Sequence, residues 1–186
     1  MKKNKGVAGL VLVIIIAIAL AVVLGGQYNR LVNLSEDVDQ SWAQVQNQVK
    51  RRADLIPNLT STVKGYAKHE SDTLTQITQA RSGIENASTP KELAKADAEL
   101  SRAINVVVEA YPELKANENF LDLQSQLEGT ENRIATERKR YNESVTVYNK
   151  AVKRFPTNLI AGILGFNDKE YFEVSEEDTK VPKVEF

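Results

Sequence analysis

The chain reads as all-α: one membrane-spanning helix, then an up-and-down four-helix bundle with a short apolar helix and an extended tail behind it. Three observations predict this. Residues 7–24 are an unbroken apolar run without charge or proline. Apolar residues recur at helical spacing over most of the remaining chain, and few strand signals compete before residue 170.

At ~1.5 Å per residue the apolar run covers roughly 27 Å as a helix, close to the ~30 Å hydrocarbon core of a bilayer. Residues 1–6 carry Lys2, Lys3 and Lys5, whereas the stretch after the span carries Arg30 against Glu36, Asp37 and Asp39. The positive-inside rule therefore places residues 1–6 in the cytoplasm, residues 7–26 in a bacterial cell membrane as a single pass, and the rest outside the cytoplasm. A cleaved signal peptide is the competing reading, because Ala17-Ile18-Ala19 and Ala19-Leu20-Ala21 resemble cleavage sites. The apolar run continues past them through Val22, Val23 and Leu24, which favours an anchor.

Beyond the span about 160 residues remain, the size of one domain. The formal net charge is −1 with both signs interspersed, so a nucleic-acid partner is not expected. There is no cysteine, which excludes disulfides and thiolate chemistry.

Residues 27–155 are the expected bundle. Leu31, Leu34, Val38, Trp42, Val45, Val49, Ala53 and Ile56 mark one face of a first helix over 29–55. Pro57 then imposes a turn or a strong kink; a mere kink would leave the last helix ending far from the membrane. A second helix is expected over 58–86, with Leu59, Val63, Tyr66, Glu70, Leu74, Ile77, Arg81 and Ile84 along its face. Thr89-Pro90-Lys91-Glu92 is a capping box that opens the third, which buries Leu93, Leu100, Ile104, Val107 and Tyr111 before Pro112 interrupts it. Asn117 can cap the fourth, over 117–154, whose heptads predict one core column of Phe120, Leu127, Ile134, Tyr141, Tyr148 and Phe155. The second column would be Gln124, Glu131, Arg138, Val145 and Val152. Its polar half must find partners such as Arg51, Arg52, Asp54 or Glu70, or line a wet edge.

Residues 156–186 hold the apolar stretch 159–166 and a charged tail that could dock through Tyr171 and Phe172. The stretch is too short to span a bilayer. Two placements are open: closing the end of the bundle, or contacting the membrane interface or a partner through Leu159, Ile160, Ile163, Leu164 and Phe166, with Lys150, Lys153 and Arg154 toward anionic head groups.

No catalytic constellation emerges, and no cofactor is expected. His69 is the single histidine and has no metal-ligand spacing around it. An enzyme or metal site could be assembled only from His69, Glu70 and Glu131. Lys50, Arg51 and Arg52, roughly 35 Å along a continuous first helix, could meet an acidic partner or form salt bridges inside the bundle, including one with Glu131. Tyr-Asn recurs at 28–29, 141–142 and 148–149, and ring packing on the core column accounts for the last two tyrosines.

Several blocks together resemble the LemA family along nearly the whole chain. They are the anchor followed by Tyr28-Asn29-Arg30-Leu31-Val32, Trp42, the stretch 49–59 with Lys50-Arg51-Arg52 and Ile56-Pro57-Asn58, the stretch 62–70, and Ala80-Arg81. Glu118-Asn119-Phe120-Leu121, the stretch 127–134, Arg140-Tyr141-Asn142, Tyr148-Asn149, Gly165-Phe166 and Tyr171-Phe172 complete them. The resemblance implies a bacterial membrane-anchored protein with an up-and-down bundle outside the membrane, and it brings no settled activity, cofactor or catalytic residue. The expected partners are the lipid bilayer, other envelope proteins for which the bundle is a scaffold, and a second copy of the chain.

Overall fold

A computed structural model of the chain describes residues 3–66 and 72–173. His69, Glu70 and the far end of the charged tail lie outside the described residues. The described chain is helical without strands: α1 (Lys3–Asp54), α2 (Ile56–Lys64), α3 (Asp72–Asn86), α4 (Pro90–Ala110), a 3-10 turn (Pro112–Ala116), α5 (Glu118–Lys153) and α6 (Asn158–Ala161).

α1 carries the apolar run, and it is the one helix among the described residues long and apolar enough to cross a membrane. Its large side chains from Leu10 to Leu24 are exposed on every face, so the run is not a core helix among the described residues.

Two compact units follow from the packing. The first joins the chain up to Asp39 to residues 144–169. Here Leu31 and Val38 of α1 and Val145, Tyr148 and Val152 of α5 are buried. Past α5 the chain turns and ends α6 in a Schellman motif: Phe166 N donates to Ala161 O at 2.9 Å and Gly165 N to Gly162 O at 3.3 Å. The motif needs a left-handed residue at its turn, which Gly165 supplies with φ +82°. Phe166 is thereby turned edge-on to the Tyr28 ring, with centroids 5.7 Å apart. Phe155, expected in the core column, instead stands 75% exposed, because helical geometry ends at Lys153 and the heptad direction ends with it.

The second unit comprises residues 40–143 and the chain from Glu170. Val45, Val49, Ala53, Ile56, Leu59 and Val63 are buried along α1 and α2, as the periodicity predicts. Pro57 kinks rather than reverses the chain. Leu55 keeps a right-handed backbone (φ −79°, ψ −17°) and accepts from Leu59 N at 3.1 Å. The expected 58–86 helix is two elements, α2 and α3, packed on each other, with α3 packed on α4 in turn. The capping box forms as read: Glu92 N donates to Thr89 Oγ1 at 3.2 Å, while Glu92 Oε2 accepts from Thr89 N and Ser88 N. Those two amides hold the Glu92 carboxyl below its ordinary range. Asn117 caps α5 by accepting from Phe120 N at 3.0 Å.

The second core column of α5 differs from the one expected. Over its first half the positions facing inward are Leu123, Thr130 and the half-buried Glu137, not Gln124, Glu131 and Arg138. Thr130 satisfies its hydroxyl on Leu127 O at 2.8 Å. The inward spacing is 3, 4, 3, 4, 3, 4 from Phe120 to Tyr141 and then 4, 3, 4 to Val152, so four residues instead of three follow Tyr141 and shift the column by one place.

Candidate functional site

In the second unit the residue with the most demanding environment is Arg52, on the last turn of α1. Its neighbours Lys50 and Arg51 are exposed, but Arg52 is 2% exposed, so of the two placements open to this cluster Arg52 takes the inner one, with salt bridges. Nη1 donates to Asp97 Oδ1 of α4 at 2.9 Å and Nη2 to Glu131 Oε2 of α5 at 3.2 Å. One guanidinium thus ties three helices, as its planar fork allows. Burial pushes the Asp97 carboxyl above its ordinary range, and the Arg52 charge only partly draws it back.

Glu131 and Ser101 line two open clefts beside this cluster. One, about 210 Å³, is floored by Leu59 and Phe120; the other, about 270 Å³, has Asp97, Arg102 and Arg138 on its walls. Glu131 has its partner in Arg52, and its proposed companions His69 and Glu70 lie outside the described residues. Among the described residues no group of three histidine, cysteine or carboxylate side chains is placed to hold a metal ion.

Two asparagines that the sequence reading did not single out perform the tail's docking. In the second unit Asn142 Nδ2 donates to Phe172 O at 3.2 Å and its Oδ1 accepts from Phe172 N at 2.9 Å. Phe172 is buried, and its ring lies 6.3 Å from that of Trp42, which itself packs at a tilt on Tyr141 with centroids 5.3 Å apart. The Tyr141 hydroxyl donates to Glu170 O at 2.7 Å. In the first unit Asn149 makes the same pair of bonds to Lys169, both 2.9 Å. The Tyr-Asn dipeptide at 141–142 and 148–149 was the available signal: its tyrosine fills the core while the asparagine beside it satisfies the backbone of an irregular segment.

The first unit also holds the remaining candidates. Lys169 reaches Asp39 through an ion pair and lies 5.5 Å over the Tyr148 ring centroid. Burial, followed by the charges of Asp168 and Asp39, raises the Tyr148 hydroxyl. Lys153 pairs with Asp168 at 2.6 Å, and Lys150 and Arg154 are exposed. The apolar stretch divides. Ala161 is buried and Phe166 covers Tyr28, whereas Leu159, Ile163 and Leu164 face outward and Ile160 is half-buried. Thr157 Oγ1 and Gln27 Oε1 are 3.1 Å apart in a hydrogen bond. An open cleft of about 350 Å³ is lined by Leu24, Gly25, Tyr28 and Asn29 of α1 and by Ile160, Ile163 and Leu164. The end of α5 thus lies beside the exit of the apolar run. The kink at Pro57 does not remove it from there, contrary to the expectation for a mere kink, because the single helix expected over 58–86 is two elements, α2 and α3.

Comparison with known proteins gives one consistent likeness. The model of the LemA family matches residues 41–186. Protein LemA of Metamycoplasma hominis is 28% identical over 155 residues, covering 81% of this chain and 71% of that protein. Magnetosome proteins MamQ 1 and MamQ 2 of Paramagnetospirillum magneticum are 27% identical over 193 residues, covering 88% of this chain and 71% of theirs.

Proposed function

The chain belongs to the LemA family, and from that premise we propose that it is a non-catalytic, single-pass membrane protein whose extracytoplasmic helices scaffold other proteins of the bacterial envelope. In this reading α1 with α2, then α3, α4 and α5 form an up-and-down four-helix bundle. Arg52, bonded from α1 to both α4 and α5, supports that arrangement. The charge difference across the apolar run supports the orientation.

One observation carries the scaffold reading: the chain fastens itself where α1 leaves the apolar run. Thr157 bonds to Gln27, Phe166 covers Tyr28, and Lys169 pairs with Asp39. A stem held by its own returning chain keeps a fixed stance at a membrane, which a platform for other proteins requires and a flexible tether would not provide. Photo-crosslinking from Lys50 and Arg51 in intact membranes, followed by purification of the solubilised full-length chain, is expected to recover a reproducible envelope protein or a second copy. A monomeric mass with no crosslinked product would sink the reading.

A further inference from the structure

We propose that the chain touches the bilayer at a second place, through an apolar patch formed by Phe155, Leu159 and Ile163 that seats in the membrane interface beside the last turn of the span. Among the described residues outside the apolar run, these are the three most exposed large apolar side chains, at 75, 64 and 85%. They are as uncovered as span residues such as Leu10 (64%) and Val22 (70%). They follow one another at intervals of four in a segment that turns part of its apolar surface inward: Ala161 is buried and Phe166 is held on Tyr28, while Leu164 faces outward with the patch. The segment therefore does not expose its apolar residues for want of a core.

What covers the patch follows from Ile163, the patch residue that lies beside the end of the span. Leu24 and Gly25, the end of the apolar run, line the same cleft as Ile160, Ile163 and Leu164. A helix that buries residues 7–24 in hydrocarbon holds that cleft at the level of the head groups. Apolar side chains at this depth enter the boundary between head groups and acyl chains, and cations above them meet anionic lipid. Lys150 and Arg154 are exposed at the end of α5, directly before the patch. The inference rests on α1 spanning the membrane and is independent of what the bundle binds.

The chain contains no cysteine, so single substitutions give unique labelling sites. The full-length chain would be reconstituted in vesicles of phosphatidylcholine and phosphatidylglycerol, with a polarity-sensitive fluorophore on Ile163→Cys, Leu159→Cys, Ile15→Cys in the span, or Leu121→Cys. Leu121 is an exposed leucine of the other unit and controls for a probe that seeks lipid wherever it is attached. Quenchers on the lipid acyl chains are expected to act several-fold more strongly at residues 163 and 159 than at 121, with soluble iodide showing the reverse order. Iodide quenching at 163 and 159 equal to that at 121, with residue 15 quenched by lipid, would overturn the second contact and leave the span intact. Shielding of 163 from both quenchers would assign the patch to a protein partner or a second copy and overturn it equally. Failure of lipid quenching at residue 15 would remove the premise and the inference together.

Discussion

Asn149 holds the backbone of Lys169 from both sides, its Nδ2 donating to Lys169 O and its Oδ1 accepting from Lys169 N, each at 2.9 Å. The side chain does for one irregular residue what a neighbouring strand would do, and it does so while buried. Removing it would orphan a backbone donor and acceptor together, which costs more than the bonds themselves are worth in water. Asn149→Ala is expected to lower stability by about 2 kcal/mol and to accelerate hydrogen exchange at the Lys169 amide far more than at the amides within α4. Unchanged exchange at Lys169 would show that the segment is held by other contacts.

Phe172 is held by Asn142 in the same manner, and here a natural reporter lies within reach. Trp42 is the sole tryptophan, with its ring 6.3 Å from that of Phe172. Phe172→Ala empties a buried site and is expected to cost about 3 to 4 kcal/mol, with a red shift of Trp42 emission as water reaches the half-exposed indole. Asn142→Ala should move the emission in the same direction by less. An unshifted spectrum in both variants would mean that the tail does not cover Trp42 in solution.

What the sequence disclosed and what it hid divide along the distance between interacting residues. The Thr89 capping box and the Asn117 cap were legible because donor and acceptor lie three residues apart. The inward positions of α1 were legible because burial on one helix needs only its own period. Arg52 was half legible. Glu131 was foreseen as a partner, but nothing within a helical turn announces Asp97, 45 residues away, or that the side chain is buried rather than displayed. The α5 column was misread for a different reason. Val145 and Val152 stand out as apolar, and a strict heptad carried backward from them lands on Gln124, Glu131 and Arg138, whereas the extra residue after Tyr141 moves the true column onto Leu123, Thr130 and Glu137. The asparagine pairs were hidden because their partners are backbone groups, which every residue possesses.

Gly165 is the position where backbone conformation alone decides the outcome. A Cβ added there would meet nothing within 4 Å, so the φ of +82° is the whole cost of substitution. Gly165→Ala is expected to destabilise by about 1 to 2 kcal/mol and to loosen Phe166 from Tyr28, visible as loss of their ring-to-ring nuclear Overhauser contacts. Gly165→Asn should cost less than Gly165→Ala, because asparagine tolerates the left-handed region better. Equal stability of the alanine variant and the parent would show that the Schellman turn is not required.

Arg52 and Asp97 make the strongest claim on pH. Because burial leaves the Asp97 carboxyl with a raised pKa despite Arg52, the folded chain holds a proton more readily than the unfolded chain above the ordinary value of 3.8. The contribution of Asp97 to stability is therefore fully present below 3.8 and is lost as pH rises through the folded-state value. Replacing Arg52 by methionine removes the charge that draws that value down, so the carboxyl shifts further upward and the loss deepens. Arg52→Met is expected to cost about 3 kcal/mol at neutral pH and progressively less as the pH falls toward 4. Asp97→Asn on its own should be tolerated, because a neutral amide avoids the desolvation that the carboxylate suffers. In the double variant it should recover most of the loss and flatten its pH dependence, since the buried unpaired charge is gone. Denaturant unfolding of the four chains at pH 4.5 and pH 7 would measure the cycle. A deficit in Arg52→Met that is independent of pH, or unrelieved by Asp97→Asn, would locate its cost in lost packing rather than in the charge left on Asp97.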